Sequence, residues 1–363
     1  MIRVFEAFAG YGSQSIALRN LGIEHEVVAI SEIDKYAIQA YEAIHGPTNN
    51  LGDISKIDVN DIPQHDLFTY SFPCQDLSVA GKQKGLGEGT RSGLLYECEK
   101  VIEHCKPKYL LLENVKNLVG KKFKADFDKW LEYLEGLGYT NYWKVLNAKD
   151  YGVPQNRERV FVVSILGEHE PFEWPTPIPL DKCIADILEE QVDDKYYLSD
   201  DIQKRFKITN QTPNIIGTTK PDFRTIGQRD LVYNEEGIMG SLVATDYKQP
   251  KQIAEINRQL KIVEVERTPL KFLNRNGKKT DGDYTFCVDT CHTGGIKEHY
   301  SNGDFKIRKL TPRECFRLMG MRDSDIDKIQ EAGISNTQQY KLAGNSIVVD
   351  VLEAIFKNLF GEE

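Results

Sequence analysis

The chain contains no stretch of about 18 or more uncharged apolar residues, so no segment of it reads as a membrane-spanning helix. Its opening, MIRVFEAFAG, passes directly into strand-like sequence without the basic, apolar and small-residue succession of a signal peptide, and the chain reads as cytoplasmic. Cysteine is sparse and odd in number. Seven residues, Cys74, Cys98, Cys105, Cys183, Cys287, Cys291 and Cys315, are spread without disulfide-dense spacing, which excludes a disulfide framework and predicts reduced thiols. Cys287 and Cys291, with His292 beside them, have a spacing that zinc could use. No second Cys or His pair stands at a matching interval, so they read as small side chains in a strand and turn, and no metal is expected. An excess of positive charge is missing as well: the net charge of −9 argues at first against a nucleic-acid partner, because phosphate contacts need clustered Lys and Arg. The distribution softens this, since residues 202–310 hold 19 Lys and Arg against 13 Asp and Glu, while the rest of the chain holds 27 against 42. There is no internal repeat and no low-complexity tract.

What is present is an ordinary globular composition, 363 residues with 40% hydrophobic and 28% charged content, enough to bury a sizeable core and to divide into two domains. The first 165 residues alternate β-rich runs (IRVFEAF, EVVAIS, DLFTYS, KYLLLE, RVFVVSI) with runs of helical apolar spacing (SQSIALRNL, DKYAIQAYEAI, LLYECEKVIEHC, FKADFDKWLEYLEGL). That succession predicts βαβ units around a parallel sheet, a doubly wound α/β fold. Four prolines in the nine residues Pro171 to Pro179 mark an extended link out of this unit. From about Asp186 to Arg308 the helical alternation gives way to Thr, Asn, Gly, Tyr and Lys, with turn pairs at Asn276-Gly277, Asp281-Gly282 and Asn302-Gly303, and a smaller, irregular, β-rich domain is expected. Helical sequence returns in TPRECFRLMGM, in a segment ending at Leu342 and in SIVVDVLEAIFKNLF. In that last run Val348, Val351, Leu352, Ile355, Phe356 and Leu359 share one face and should pack on a core.

The chemistry-bearing residues stand where such a sheet would end its strands. Phe8, Ala9, Gly10, Tyr11, Gly12 and Ser13 form a glycine turn into a helix, which brings backbone N–H groups and a positive helix end to the carboxyl edge of the sheet. The third glycine of the dinucleotide pattern is replaced by Ser15. Glu32 ends the second strand about twenty residues on, where a carboxylate can accept both hydroxyls of a ribose, and Asp53 could reach an adenine amino group. Together these favour a phosphate-free nucleoside cofactor, S-adenosylmethionine, over a dinucleotide. Ser71-Phe72-Pro73-Cys74-Gln75 then puts a thiol at a strand end behind a proline that stiffens the turn. The following DLSVAGKQKGLGEGTRSG, with five glycines and three basic residues, suits a loop that closes and lies on phosphate. The next strand runs into Glu113, Asn114 and Val115, a carboxyl at the same edge, which would tend to be protonated beside a thiolate and could donate to a ring nitrogen. Gln155-Asn156-Arg157-Glu158-Arg159 sets two arginines at i and i+2, facing one way if the segment is extended and suited to phosphate or pyrimidine oxygen.

With these elements in order, the sequence resembles the DNA (cytosine-5) methyltransferase family over most of its length. FAGYGSQ resembles the family's cofactor motif, SFPCQDLSVAG its nucleophile motif, LLENVKNL its acidic motif and YGVPQNRERVF its arginine motif, while RKLTPRECFRLMG and AGNSIVV match the last two. The resemblance implies an S-adenosylmethionine site lined by Phe8, Gly10, Tyr11, Gly12, Glu32, Asp53, Pro73, Leu94, Asn345 and Ser346, with Ile33 and Ile54 against the adenine. It further implies Cys74 as nucleophile, Glu113 on cytosine N3 and its amino group, Arg159 on the pyrimidine oxygen, and Arg157 on the backbone near the site. Gln75, Ser78, Lys82, Lys84 and Arg91 would touch DNA. Tyr11 and Ser13 replace residues that are often Leu or Ile and Gly, and Ser71 a frequent Gly, which puts cofactor packing in question but removes no catalytic group.

The implied organisation is a catalytic and cofactor-binding domain at 1–185, completed by 335–363, a target recognition domain at 186–308 and a hinge region at 309–334. The implied partner is double-stranded DNA, met by a monomer of bacterial or phage origin, near the nucleoid, with any cognate restriction endonuclease acting separately. A transfer-RNA cytosine methyltransferase of the same superfamily would share most motifs, but its Cys-Phe-Thr signature is missing. A catalytically silent DNA-binding relative fits less well with Cys74, Glu113 and Arg159 intact, and a Rossmann-type oxidoreductase leaves the cysteine motif unexplained.

Overall fold

The computed structural model describes residues 1–72, 94–212, 214–220, 227, 230–256 and 305–361. Pro73, Cys74, Gln75, Ser78, Lys82, Lys84 and Arg91 lie outside these residues, as do Cys287, Cys291, His292 and the three turn pairs between 276 and 303.

A six-stranded sheet organises the first part of the chain, with β1 (Ile2–Ala7), β2 (His25–Ser31), β3 (Leu67–Tyr70), β4 (Tyr109–Val115), β5 (Tyr139–Asn147), and β7 (Glu158–Leu166) in the order β2-β1-β3-β4-β7-β5; the two-residue β6 (Gln155–Asn156) lies just before β7. The first four strands are parallel, as the βαβ alternation predicts, whereas β7 runs antiparallel to both β4 and β5. β5 is the strand that sequence periodicity does not single out. It lies at a sheet edge, and apart from Tyr139 and Leu146 its side chains are half-buried or exposed, so it carries little hydrophobic pattern.

Side chains alternate to the two faces of this sheet and feed two cores. Val4, Leu67, Leu111, Phe161 and Val163 join one, with Ile16, Ala17 and Leu18 of α1 (Ser13–Asn20), Ala37, Ala40 and Ile44 of α2 (Lys35–His45) and the C-terminal helices. Phe5, Phe68, Leu110, Leu112, Val160 and Val162 join the other, under α3 (Leu95–Cys105) and α4 (Lys124–Gly136). A sheet covered on both faces needs strands apolar on both sides, which is why KYLLLE and RVFVVSI read as continuous hydrophobic runs.

A second sheet contains β8 (Lys207–Thr212), β9 (Ile215–Thr218), β10 (Leu231–Asn234), β12 (Gln252–Ile256) and β13 (Phe305–Lys309) in the order β13-β12-β10-β9-β8. The short helix α5 (Asp200–Gln203) precedes it, and Leu198, Phe206, Ile216, Val232, Ala254 and Ile307 form a small core of its own. β11 (Met239–Gly240) leaves this unit and pairs in parallel with β6. Helices α6 (Pro312–Arg317), α7 (Asp323–Glu331), α8 (Asn336–Asn345) and α9 (Val349–Phe360) follow. The predicted apolar face of the last is buried: Val348, Val351, Leu352, Ile355 and Phe356 lie in the first core and Leu359 packs against it.

At the junction of the second sheet and the helices, the fully buried Arg308 donates Nη1 and Nη2 to the two carboxylate oxygens of Glu314, at 2.8 and 2.7 Å, and Nε to Glu255. Glu314 also accepts from the backbone N–H groups of Thr311 and Glu189, so neither buried charge lacks partners.

Candidate active site at the carboxyl edge of the sheet

Because β1 sits between β2 and β3, the chain leaves β1 toward one side of the sheet and returns to the other, and the loops at this switch point part to leave a crevice. A cleft of about 330 Å³ opens there. Its lining comes from the ends of β1 (Phe8, Gly10, Tyr11), β2 (Glu32, Ile33), β3 (Ser71, Phe72) and β4 (Glu113, Asn114), together with Asp53, Ile54, Leu94, Arg157, Arg159, Gly344, Asn345 and Ser346. All the expected cofactor residues among the described residues therefore meet in one place except Gly12, where a Cβ would point at His45 and Tyr41 instead of the cleft.

The glycine turn holds a left-handed backbone at three of its residues, Phe8, Gly10 and Gly12. Phe8 adopts φ 56°, a left-handed conformation unusual for a residue with a side chain, held by its N–H on Ser31 O at 2.7 Å. Gly10 (φ +60°) has open space where a Cβ would stand, whereas a Cβ on Gly12 (φ +81°) would meet His45 Nε2 and Tyr41. Beneath the turn, the buried Glu6 accepts from Ser15 N–H at 3.0 Å, Ser15 Oγ at 2.8 Å and Tyr41 OH at 2.8 Å, and burial raises its pKa to about 7.

Glu32 is aimed by the backbone around it. Its Oε2 accepts from Gly10 N–H at 2.9 Å and its Oε1 from Ile33 and Asp34 N–H, each at 2.8 Å, while Asn50 brackets the Glu32 peptide on both sides. Asp53 accepts from Ser55, which holds its carboxyl below the usual range and keeps it an ionised acceptor. Ile33, 73% exposed, offers an apolar face next to these carboxylates. An acceptor for ribose hydroxyls, a second acceptor, an apolar plate and a glycine turn with room for a ligand fit a nucleoside cofactor. Tyr11 contributes differently from its neighbours: its ring packs edge-on against Phe316 and its hydroxyl donates to Ser346 Oγ at 2.8 Å, so it joins two walls of the cleft.

At the other end of the cleft, Glu113 Oε1 lies 3.2 Å from Arg159 Nε. Burial raises the Glu113 pKa, and the nearby Arg159 and Arg157 offset only part of the shift. Asn114, to which the sequence alone assigns no role, donates Nδ2 to Phe72 O at 3.1 Å and so anchors the chain two residues before Cys74. Both arginines line the cleft, but the Arg157 guanidinium is directed into the protein. It donates to Leu242 O (2.7 Å), Gly344 O (3.2 Å) and Ser346 O (2.7 Å), carbonyls of the protein's own backbone beside the site, which makes Arg157 part of the cleft's frame. The i, i+2 spacing gives the common direction of the two side chains but says nothing of the carbonyls that meet one of them. Gln155, also unmarked in the sequence, lies fully buried beside it. Among the described residues, no helix is long and apolar enough to cross a membrane.

Comparison with known proteins is consistent along the whole chain. The family C-5 cytosine-specific DNA methylase matches residues 2–361. The chain is 37% identical to the type II methyltransferase M2.ScrFI of Lactococcus lactis subsp. cremoris, covering 99% of each chain, and 34% identical to the orphan methyltransferase M.SPBetaI of Bacillus phage SPbeta, covering 99% of this chain and 97% of that one. Among solved structures, the S. pombe Dnmt2 methyltransferase superposes with a TM-score of 0.64 at 18% identity, covering 98% of this chain and 97% of that one. The Entamoeba histolytica methyltransferase EhMeth gives 0.68 at 16% identity, covering 99% and 98%. At such identities these two speak for the fold.

Proposed function

The chain belongs to the C-5 cytosine-specific DNA methylase family, and we propose that it methylates carbon 5 of a cytosine turned out of duplex DNA, through a transient bond between Cys74 and carbon 6. The observation that carries this reading is the buried Glu113 beside Arg159 at one end of a cleft whose other end is built for a nucleoside. Carbon 5 of cytosine is too weak a nucleophile to take a methyl group directly. Addition of the Cys74 thiolate to carbon 6 makes the S–C bond and pushes the C5–C6 π pair toward carbon 5 and, through carbon 4, toward N3. Glu113, whose hold on a proton burial strengthens, donates in its acid form to N3 as negative charge develops there, and Arg159 holds the pyrimidine oxygen. S-adenosylmethionine would be held by Phe8, Gly10, Glu32, Ile33, Asp53, Ile54, Leu94, Asn345 and Ser346, with Pro73 beside Cys74, and would supply the electrophilic methyl group that carbon 5 takes, leaving as S-adenosylhomocysteine. Loss of the carbon 5 proton to a base or water then restores the double bond and expels Cys74 as thiolate. Carbon 6 is inaccessible within a stacked duplex, so the target base leaves the helix for the cleft.

We further assign residues 1–185 with 335–363 to the catalytic domain, 186–308 to target recognition and 309–334 to a hinge, with Gln75, Ser78, Lys82, Lys84 and Arg91 on DNA. The protein then acts as a monomer on DNA in the cytoplasm, with or without a separate cognate endonuclease. Bisulfite sequencing of DNA from cells that express the protein tests the reading. Protected cytosines should fall in one short sequence context and vanish in cells expressing Cys74→Ser, and full conversion in both would overturn it.

A further inference from the structure

The DNA-recognition unit and the cofactor wall meet through two buried side chains. Gln155 Oε1 accepts from Leu242 N–H at 3.0 Å, and its Nε2 donates to Leu318 O at 2.7 Å. Arg157 takes the carbonyl of the same Leu242 at 2.7 Å with Nη1, and with Nη2 reaches Gly344 O and Ser346 O at the end of α8. Both backbone polar groups of Leu242 are thus held by side chains of the arginine motif. The backbones are also in direct apposition, since a Cβ on Gly344 would overlap the Val243–Ala244 peptide. Just upstream, Met239 pairs with Gln155 in the β6–β11 bridge and donates its N–H to Pro154 O at 2.8 Å. On the far side, Ser346 accepts from Tyr11 of the glycine turn. A contiguous series of contacts therefore runs from Leu242 through Arg157 to Ser346 and Tyr11.

We propose that Gln155 and Arg157 are positioning residues that couple the recognition unit to the cofactor pocket, so that ordering either one orders the other. The physical reason is rigidity of the joint. Guanidinium and amide groups buried at 3% and 0% exposure cannot exchange their carbonyl partners for water without leaving polar groups unsatisfied, so the joint has few alternative arrangements. The coupling is reciprocal: a cofactor that steadies the 344–346 turn steadies residues 242–244 and raises DNA affinity, and DNA seated on the recognition unit raises cofactor affinity by the same factor. This rests on the cofactor reading of the cleft, and the experiment separates the two.

Hydrogen exchange of the folded full-length protein, with S-adenosylhomocysteine as probe and its binding measured by calorimetry, tests the coupling. In the wild type, saturation should slow amide exchange across residues 242–246 by at least about fivefold. Arg157→Lys keeps the charge but cannot hold three carbonyls with one ammonium, and this slowing should be lost while S-adenosylhomocysteine still binds, about five- to tenfold more weakly. Gly344→Ala leaves the guanidinium in place and forces the backbones apart, so it should produce the same loss and carries the comparison if the lysine variant does not fold. Binding without any change at 242–246 in the wild type, or equal slowing in wild type and a folded variant, would overturn the coupling. No binding to the wild type at all would instead overturn the cofactor reading.

Discussion

Glu113 and Arg159 sit diagonally across the β4–β7 pair: Val115 is the register partner of Arg159, Glu113 lies two residues back on the same face, and the carboxylate and guanidinium meet at 3.2 Å. Strand pairing, not sequence proximity, brings the acid to the arginine. The consequence is a carboxyl whose pKa is raised by burial but held from rising further by its neighbour.

Glu113→Gln should therefore lower methyl transfer by at least about 100-fold while leaving S-adenosylmethionine affinity unchanged by calorimetry, because the amide cannot give up a proton to N3. In the wild type, the acid form must be present, so kcat should fall as pH rises through the raised Glu113 value. In Arg159→Ala the guanidinium no longer favours the carboxylate, and this falling limb should move to higher pH on top of a lower plateau. A limb that stays in place would separate Glu113 from the proton transfer.

The covalent step has its own signature. Duplex DNA carrying 5-fluorocytosine at the target, mixed with S-adenosylmethionine and the protein, should yield an adduct that survives denaturing electrophoresis, because fluorine replaces the proton whose loss lets Cys74 depart. Mass spectrometry should place the DNA on the peptide containing Cys74. Cys74→Ser should bind DNA and form no adduct, since a hydroxyl is a far weaker nucleophile at neutral pH. Methylation of DNA without trapping of the analogue would exclude the thiol mechanism.

The two glycines of the cofactor turn should respond differently to alanine. Gly10→Ala adds left-handed strain without a clash, a loss of about 1 kcal/mol in urea unfolding. Gly12→Ala adds the same strain and drives a methyl to 2.5 Å from His45 Nε2 and 2.6 Å from Tyr41 Cε2, so its loss should exceed that of Gly10→Ala by roughly 1–3 kcal/mol. Equal losses would mean that the packing beneath the turn yields freely.

Glu6 makes stability depend on pH. Its folded-state pKa, about 7, lies above the ordinary 4.5, so its stabilisation is complete below 4.5 and is lost as pH rises through 7. Replacing it by Gln should flatten the fall in unfolding free energy between pH 5 and pH 8, by as much as about 3 kcal/mol. His45, lowered to about 4 by burial, contributes the opposite slope in mildly acid solution, so the informative quantity is the difference between variant and wild type at each pH. Identical pH profiles would show that Glu6 titrates normally.

The α/β class, the parallel strands β1 to β4 with their crossover helices and the buried face of α9 were legible in the sequence, because apolar periodicity reports directly which side of an element leaves water. So were the residues of the glycine turn and Glu32, Asp53 and Glu113, since an α/β sheet gathers the ends of its parallel strands at one edge whatever their separation along the chain. Periodicity carried no signal for β5, neither face of which is buried along its length, or for the antiparallel direction of β7, which is set by its neighbours. Nor could it separate Arg157 from Arg159. Spacing treats two arginines at i and i+2 alike, and although the family resemblance gives them different roles, only folding decides that one meets the carbonyls of Leu242, Gly344 and Ser346 and the other meets a carboxyl. Hydrogen bonds to backbone groups 85 to 189 residues away depend on no side-chain type at the far end, so tertiary structure alone decides them.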